Sequence, residues 1–333
     1  MKALSILAAV LGVTAIAVLI GYFGAGAVMR SLLAVGGLGF AAICAIHLAL
    51  MAVMGLAWHV LLPGTPVWTA LWGRLVRDSA GEVLPFLQVG GYVLGARALA
   101  LTGVSGTLAA ASTIVDVTLE FVAQLAYTAL GLAWLAHLQP DSAAAIPIMI
   151  GLAVATVAAL AFVLVQRHGF DQLDRIARIL GRGWAARGAT GAAALHAALA
   201  AIYRRRGALW LNFALHLACW IASAVEAWLA LLLAGEPLSF GAVLVLESML
   251  YAVRTSAFAV PNAVGVQEGA YILLGATFGL SPEMALALSL LKRARDIAIG
   301  VPTIIAWQAS EGGRLWRRRG VAAGNRVSAA PQD

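Results

Sequence analysis

Apolar residues run in long, unbroken stretches along this chain, separated by short polar punctuation rather than by strict alternation. Runs of about 20 apolar residues, the length a helix needs to cross a bilayer, lie at roughly 3–22, 32–62, 107–136, 144–165, 209–234 and 283–309. The period-two alternation of an outer-membrane barrel strand is missing. The first run is longer than an ordinary signal-peptide core and no small-x-small cleavage site precedes Gly24, so it reads as a retained first helix.

Two segments between these runs break the pattern, and they resemble each other. The first is "RDSAGEVLPFLQVGGYVLGARALALTG", residues 77–103, and the second "RTSAFAVPNAVGVQEGAYILLGATFGL", residues 254–280. Each opens on Arg-x-Ser-Ala, reaches a proline (Pro85, Pro261), passes through glycines (Gly90 and Gly91; Gly265 and Gly269) and resumes as an apolar helix. Proline removes a backbone donor and glycine weakens the helix, so backbone polar groups are freed there. At membrane depth such groups must be buried in protein or face a wet cavity. Counting spans places the two segments on opposite sides, the pattern of an inverted repeat whose broken helices meet near the midplane. The predicted fold is therefore an all-α polytopic membrane protein with about six full spans and two re-entrant or broken helical hairpins. Its halves would cover about 1–165 and 209–310, joined by 166–208, with Pro85, Gly90, Gly91, Pro261, Asn262, Gly265 and Gly269 as backbone breaks or gates.

Composition agrees: 62% of the 333 residues are hydrophobic and 11% charged, too little polar surface to cover a soluble protein of this size. The net charge of +7 is distributed by topology. Arg167, Arg175, Arg178, Arg182, Arg187 and Arg204 to Arg206 crowd 166–208, whereas "HLQPDS" and "GEPLS" carry no Lys or Arg. The positive-inside rule makes that loop, the "RLWRRRG" tail and both termini cytoplasmic. Phe170, Leu173, Ala177 and Leu180 share one helical face, and Leu195, Leu199 and Ile202 another, so two helices lying on the inner leaflet are expected. After Glu311 periodicity fades and the tail, 311–333, is expected to be disordered. No nucleic-acid-reading module accompanies the basic charge.

Six acids and four bases fall at membrane depth: Asp116, Glu120, Glu226, Glu247, Glu268 and Asp296, with Arg254, Lys292, Arg293 and Arg295. A charge at the bilayer centre costs at least about 2.5–3.5 kcal/mol on insertion scales, so these groups must pair or meet water. Asp116 and Glu120 share a helix face, and Asp296 is spaced to pair with Lys292 or Arg293. Cys44 and Cys219 sit in apolar runs and read as small buried hydrophobes. The histidines at 47, 59, 137, 168, 196 and 216 are scattered and no HExxH is present, so neither a metal nor a cofactor is expected.

The strings "GEVLPFLQVGGYVLGARAL" and "VPNAVGVQEGAYILLGATFGLS", followed by "LLKRARDI", carry a resemblance over residues 1–310. The chain resembles the lysylphosphatidylglycerol synthase transmembrane region, or flippase-like domain, most closely its hopanoid-associated branch in bacterial inner membranes. Pro261, Gly265 and Glu268 match the family's second motif, while Asn262, Ala263 and Val264 depart from its glycine-rich form. The resemblance implies lipid-headgroup handling at the inner membrane, with a hopanoid or an amino-modified or anionic phospholipid as substrate. Arg254, Lys292 and Arg293 would attract anionic groups; Glu268 and Glu82 would bind amines or hydroxyls; Asp116 and Glu120 would line the same cavity. The soluble transferase domain of bifunctional relatives is not expected here, so the reading is a transporter rather than an enzyme. The alternatives are an assembly factor for lipid-modifying, including hopanoid, enzymes and an embedded lipid-modifying enzyme. Membrane lipids are the expected partners.

Overall fold

The computed structural model describes residues 14, 21, 25–83, 88–138, 146, 149–164, 185–257 and 260–328. Pro85 and the face formed by Phe170, Leu173, Ala177 and Leu180 lie outside the described residues, as does most of the first predicted span.

Every regular element among the described residues is helical. In chain order they are α1 (Ala25–Ala34), α2 (Gly36–Val60), α3 (Val67–Val83), α4 (Gln88–Leu101), α5 (Gly106–Leu138) and α6 (Met149–Leu164). There follow α7 (Ala185–Arg204), α8 (Arg206–Leu233), α9 (Phe240–Ser256), a 3₁₀ turn at Pro261–Ala263, α10 (Val266–Ala276) and α11 (Pro282–Ser328). Helices α2, α5 and α8 are each long and apolar enough to cross a membrane. Large apolar side chains such as Leu38, Leu273 and Trp210 are at least 70% exposed. Surface of this kind is stable in lipid and not in water. The protein is a polytopic α-helical integral membrane protein.

The run predicted at 32–62 is split, because Gly36 adopts φ 69° and turns the chain between α1 and α2. The last helix runs well past 309, and residues expected to be disordered after Glu311 are helical as far as Ser328. Extending an anchored helix skips the costly nucleation step, and the Arg, Ala and Leu residues there favour it.

Two runs of four helices follow the same order. Helices α2, α3, α4 and α5 have 25, 17, 14 and 33 residues; α8, α9, α10 and α11 have 28, 17, 11 and 47. The packing matches under exchange: α2 lies against α8, α3 against α11, and α9 against α5. The largest apolar core joins Ile43 of α2, Leu231 of α8, Leu246 and Leu250 of α9, Tyr271 of α10 and Leu288 of α11.

The amphipathic face of α7 does not rest on lipid. Leu199 and Ile202 are buried against Leu61, Ala111 and Val115, which docks α7 on α5. Just beyond it, Arg205 donates to the carbonyls of Val60 (3.1 Å) and Leu61 (3.4 Å), placing a positive charge at the C-terminal end of α2.

Candidate functional site

In the second interrupted segment the helix stops at Ser256 and resumes at Val266, and within this break Asn262 and Ala263 have φ 50° and 46°, and Gly265 has φ 82°. Gly269 lies beyond it, inside α10. Gly90 and Gly91 likewise lie inside α4 rather than at a gate. Gly91 serves close packing, since a Cβ there would come 2.6 Å from the Arg77 carbonyl oxygen on α3. Gly95, one turn on, is also pressed against Arg77 and Gly73. These glycines let α4 lie directly on α3.

The two segments touch. Asn262 donates from Nδ2 to the backbone carbonyl of Glu82 at 2.7 Å, and Arg254 donates from Nη2 both to Asn262 Oδ1 (3.1 Å) and to the Glu82 carboxylate (3.2 Å to each oxygen). Glu82 is one residue from the end of α3, so side chains of the second segment hold the C-terminal end of α3 in the first.

Glu268 is occupied in holding its own turn. Its Oε2 accepts the Gly265 N–H at 2.7 Å, and its Oε1 accepts from Ser289 Oγ (2.9 Å) and Arg293 Nε (2.6 Å). It is fully buried.

Between the helices lies a cavity of about 310 Å³. Five bases line it, Arg74, Arg77, Arg254, Lys292 and Arg295, together with five acids, Asp78, Glu82, Glu120, Glu226 and Asp296. His47, Tyr92, Tyr251 and Gln124 contribute further polar atoms. Of the residues expected to hold substrate, Glu82, Glu120, Arg254 and Lys292 are in this lining. Asp116, Glu268 and Arg293 are not, because each is engaged behind it.

Each lining base has a carboxylate partner. Arg74 donates to Asp78 (2.5 Å) and Glu120 (2.7 Å), and Arg77 to Glu120 and to Asp116 (2.7 Å). The Arg77 guanidinium also lies 4.9 Å from the Tyr92 ring centre. Lys292 meets Glu247 at 2.5 Å, and Glu247 accepts from the Tyr271 hydroxyl at 2.6 Å. Arg295 pairs with Glu226 and with Asp296 (2.6 Å), while His47 Nδ1 lies 3.1 Å from Glu226. Asp296 thus pairs with Arg295 rather than with Lys292 or Arg293. Glu247 and Glu268, reaching in from α9 and α10, have claimed those two bases.

Asp116, Glu120 and His216 bring one ligand atom each within 4.8 Å of one another. The donor set does not suit a cation, however. Asp116 already accepts from Arg77, from Asn212 (2.8 Å) and faces His216 (3.0 Å), and both oxygens of Glu120 are held by guanidiniums. A metal would have to displace two buried positive charges.

Sequence reasoning missed Arg74, Arg77 and Asp78 as site residues, and with them His47. The available signal was the i,i+4 spacing of Arg74 and Asp78 on a helical segment. Arg77 and Asp78 open the first broken segment, where the sequence presents them as part of its repeat pattern and not as site residues.

The match with known proteins is to one family model, the lysylphosphatidylglycerol synthase TM region, over residues 5–303. No curated protein and no solved structure matches the chain. With nearly its whole helical body covered by that model, the chain belongs to the lysylphosphatidylglycerol synthase TM region family.

Proposed function

We propose that this protein is a flippase-type lipid transporter of the bacterial inner membrane, sheltering a lipid headgroup in its charged cavity while the headgroup crosses the bilayer. The observation that carries this reading is the cavity itself: five basic and five acidic side chains around about 310 Å³ of open space, inside a helical body of lipid-facing exterior. Burying ion pairs contributes little net stability and often costs some, so a scaffold has no need of such a lining. A headgroup that crosses the membrane does need one.

Paired bases and acids set the headgroup chemistry. A phosphate entering the cavity exchanges with a carboxylate on a guanidinium, and the freed carboxylate takes an amine. A phospholipid carrying both groups, such as an amino-modified phospholipid, fits this better than a hopanoid with an uncharged head. The Arg254–Glu82 pair is the most accessible of these, with side chains 12% and 31% exposed, and is the first to exchange. On this reading the two four-helix runs form an inverted repeat, the touching segments at Glu82 and Asn262 are its moving seam, and α7 with the arginine-rich loop lies on the cytoplasmic side. The chain moves lipid without modifying it and works beside enzymes that do.

The test is reconstitution into liposomes with fluorescent lipids bearing an amine and phosphate, a phosphate alone, or an uncharged head. Faster transbilayer movement than in empty vesicles, greatest for the first lipid, supports the reading; equal rates in both contradict it.

A further inference from the structure

A second cavity, of about 270 Å³, adjoins the charged one and differs from it in chemistry. It lies between α5, α6 and α9, and its walls come from Leu125, Leu152, Ala155, Ala252 and Val253. Among the described residues no charged side chain lines it. The hydroxyl of Ser256 in its wall donates to the Ala252 carbonyl of its own helix at 2.9 Å, and the other polar lining residues are the uncharged Gln124, Thr128 and Thr255. Both cavities share Phe121, Gln124 and Thr255 as lining residues. Gln124 is buried and bridges α5 to α9 by donating to Thr255 Oγ1 (2.5 Å) and to the Tyr251 carbonyl (3.1 Å). These residues form a sill, charged on one side and apolar on the other.

We infer that the second cavity is the binding site for a hydrocarbon chain of the same lipid whose headgroup occupies the charged cavity, the sill marking the glycerol level. The inference rests on the headgroup reading above. Continuity across the sill selects this occupant, because an amphiphile is the ligand whose polarity changes where the lining does. Helix α6 forms the outer wall. Leu152 and Ala155 turn inward, while Val154 and Val157 are 65% and 67% exposed toward lipid. Gly151 lines the cavity and is itself exposed, and among the described residues nothing lies within 4 Å of a Cβ position there, which makes this side of α6 the proposed way in from the bilayer. A chain can pass there without leaving an apolar environment. The substrate is therefore held at both ends rather than by its headgroup with its chains free in the bilayer.

Photolabelling tests this with the full chain in phosphatidylglycerol vesicles and two analogues of an amine-bearing phospholipid, one with a diazirine on the headgroup beside the free amine and one with a diazirine near the acyl terminus. The headgroup probe is expected to label the charged lining around Gly81 and Tyr251, and the acyl probe Leu125, Leu152 and Ala155. Ala155→Trp should cut the acyl labelling about tenfold, equivalent to ~1.4 kcal/mol, whereas Val154→Trp, on the lipid side, should leave it unchanged. Acyl labelling confined to the Val154 and Val157 face, with the headgroup probe still in the charged cavity, overturns the chain site and leaves the headgroup reading standing. Acyl labelling inside with no headgroup labelling makes the cavity an ordinary boundary-lipid niche, and this too overturns the inference. Absence of both labels removes it together with the headgroup reading.

Discussion

Arg293 donates from Nε to Glu268 at 2.6 Å, while the other oxygen of that carboxylate accepts the N–H of Gly265 at 2.7 Å, so one side chain ties the last helix to the broken segment. A carboxylate this engaged holds the turn. Glu268→Gln should therefore destabilise the protein by up to about 3 kcal/mol, the scale for removing one member of a buried pair. Removing Arg293 as well, in Glu268→Gln with Arg293→Gln, should recover part of that loss in a double-mutant cycle. Thermal unfolding in detergent measures both, and a Glu268→Gln protein as stable as wild type would contradict the assignment.

The positive φ of Gly265, 82°, makes a second prediction. Gly265→Ala forces a Cβ into a left-handed conformation at a cost of about 1–2 kcal/mol. Asn262 stands in the same region at φ 50° but also bonds Glu82 and Arg254. Asn262→Gly should thus relieve strain yet weaken the contact between the two segments. Hydrogen exchange at the end of α3 should rise in Asn262→Gly, and unchanged protection there would show that the bridge does not hold that end.

Glycines in the two segments separate by what surrounds them. Gly91→Ala should cost about 1–3 kcal/mol through overpacking, because its new methyl meets the Arg77 carbonyl at 2.6 Å. Gly269→Ala has open space and should be neutral or gain up to about 1 kcal/mol from helix propensity. Melting temperatures that move in the same direction would contradict these packing roles.

Most of the helical body was legible in the sequence because a membrane span is a strong signal: about 20 apolar residues leave few alternatives. The second break was legible too, since Pro261 and Gly265 admit little else. Glycine roles were less so. Gly91 and Gly265 look alike in one dimension, but one accommodates a neighbouring helix and the other a positive φ. The ion pairs were legible only as a requirement. Spacing suggested Lys292 or Arg293 for Asp296, yet partners from other helices outcompeted neighbours on the same one, and no local rule reports that. Arg74 and Arg77 were hidden for a related reason: their apolar surroundings come from Trp58, Tyr92 and Met54, all distant in sequence.

The proposed orientation rests on the arginine distribution and is open to direct measurement. In a background with Cys44 and Cys219 replaced by alanine, Glu236→Cys, between α8 and α9, should react with an impermeant thiol reagent from outside intact cells. Arg204→Cys, at the end of α7, should react only after permeabilisation. The reverse pattern would invert the topology and with it the direction of the proposed transport.

The central claim, that a headgroup uses the charged cavity, is tested most directly at Gly81. This glycine lines the cavity and among the described residues has nothing within 4 Å of a Cβ position, so Gly81→Leu is expected to place its side chain in the open space. Gly269→Leu makes the same change at another open helical position outside the cavity. Both should gain about 0.8–1 kcal/mol of helix propensity. Lipid flux and melting temperature, measured on the same proteoliposome preparations, should show both variants at least as stable as wild type, with flux lost in Gly81→Leu and retained in Gly269→Leu. Undiminished flux in a stable Gly81→Leu protein would contradict the cavity as the route of the headgroup.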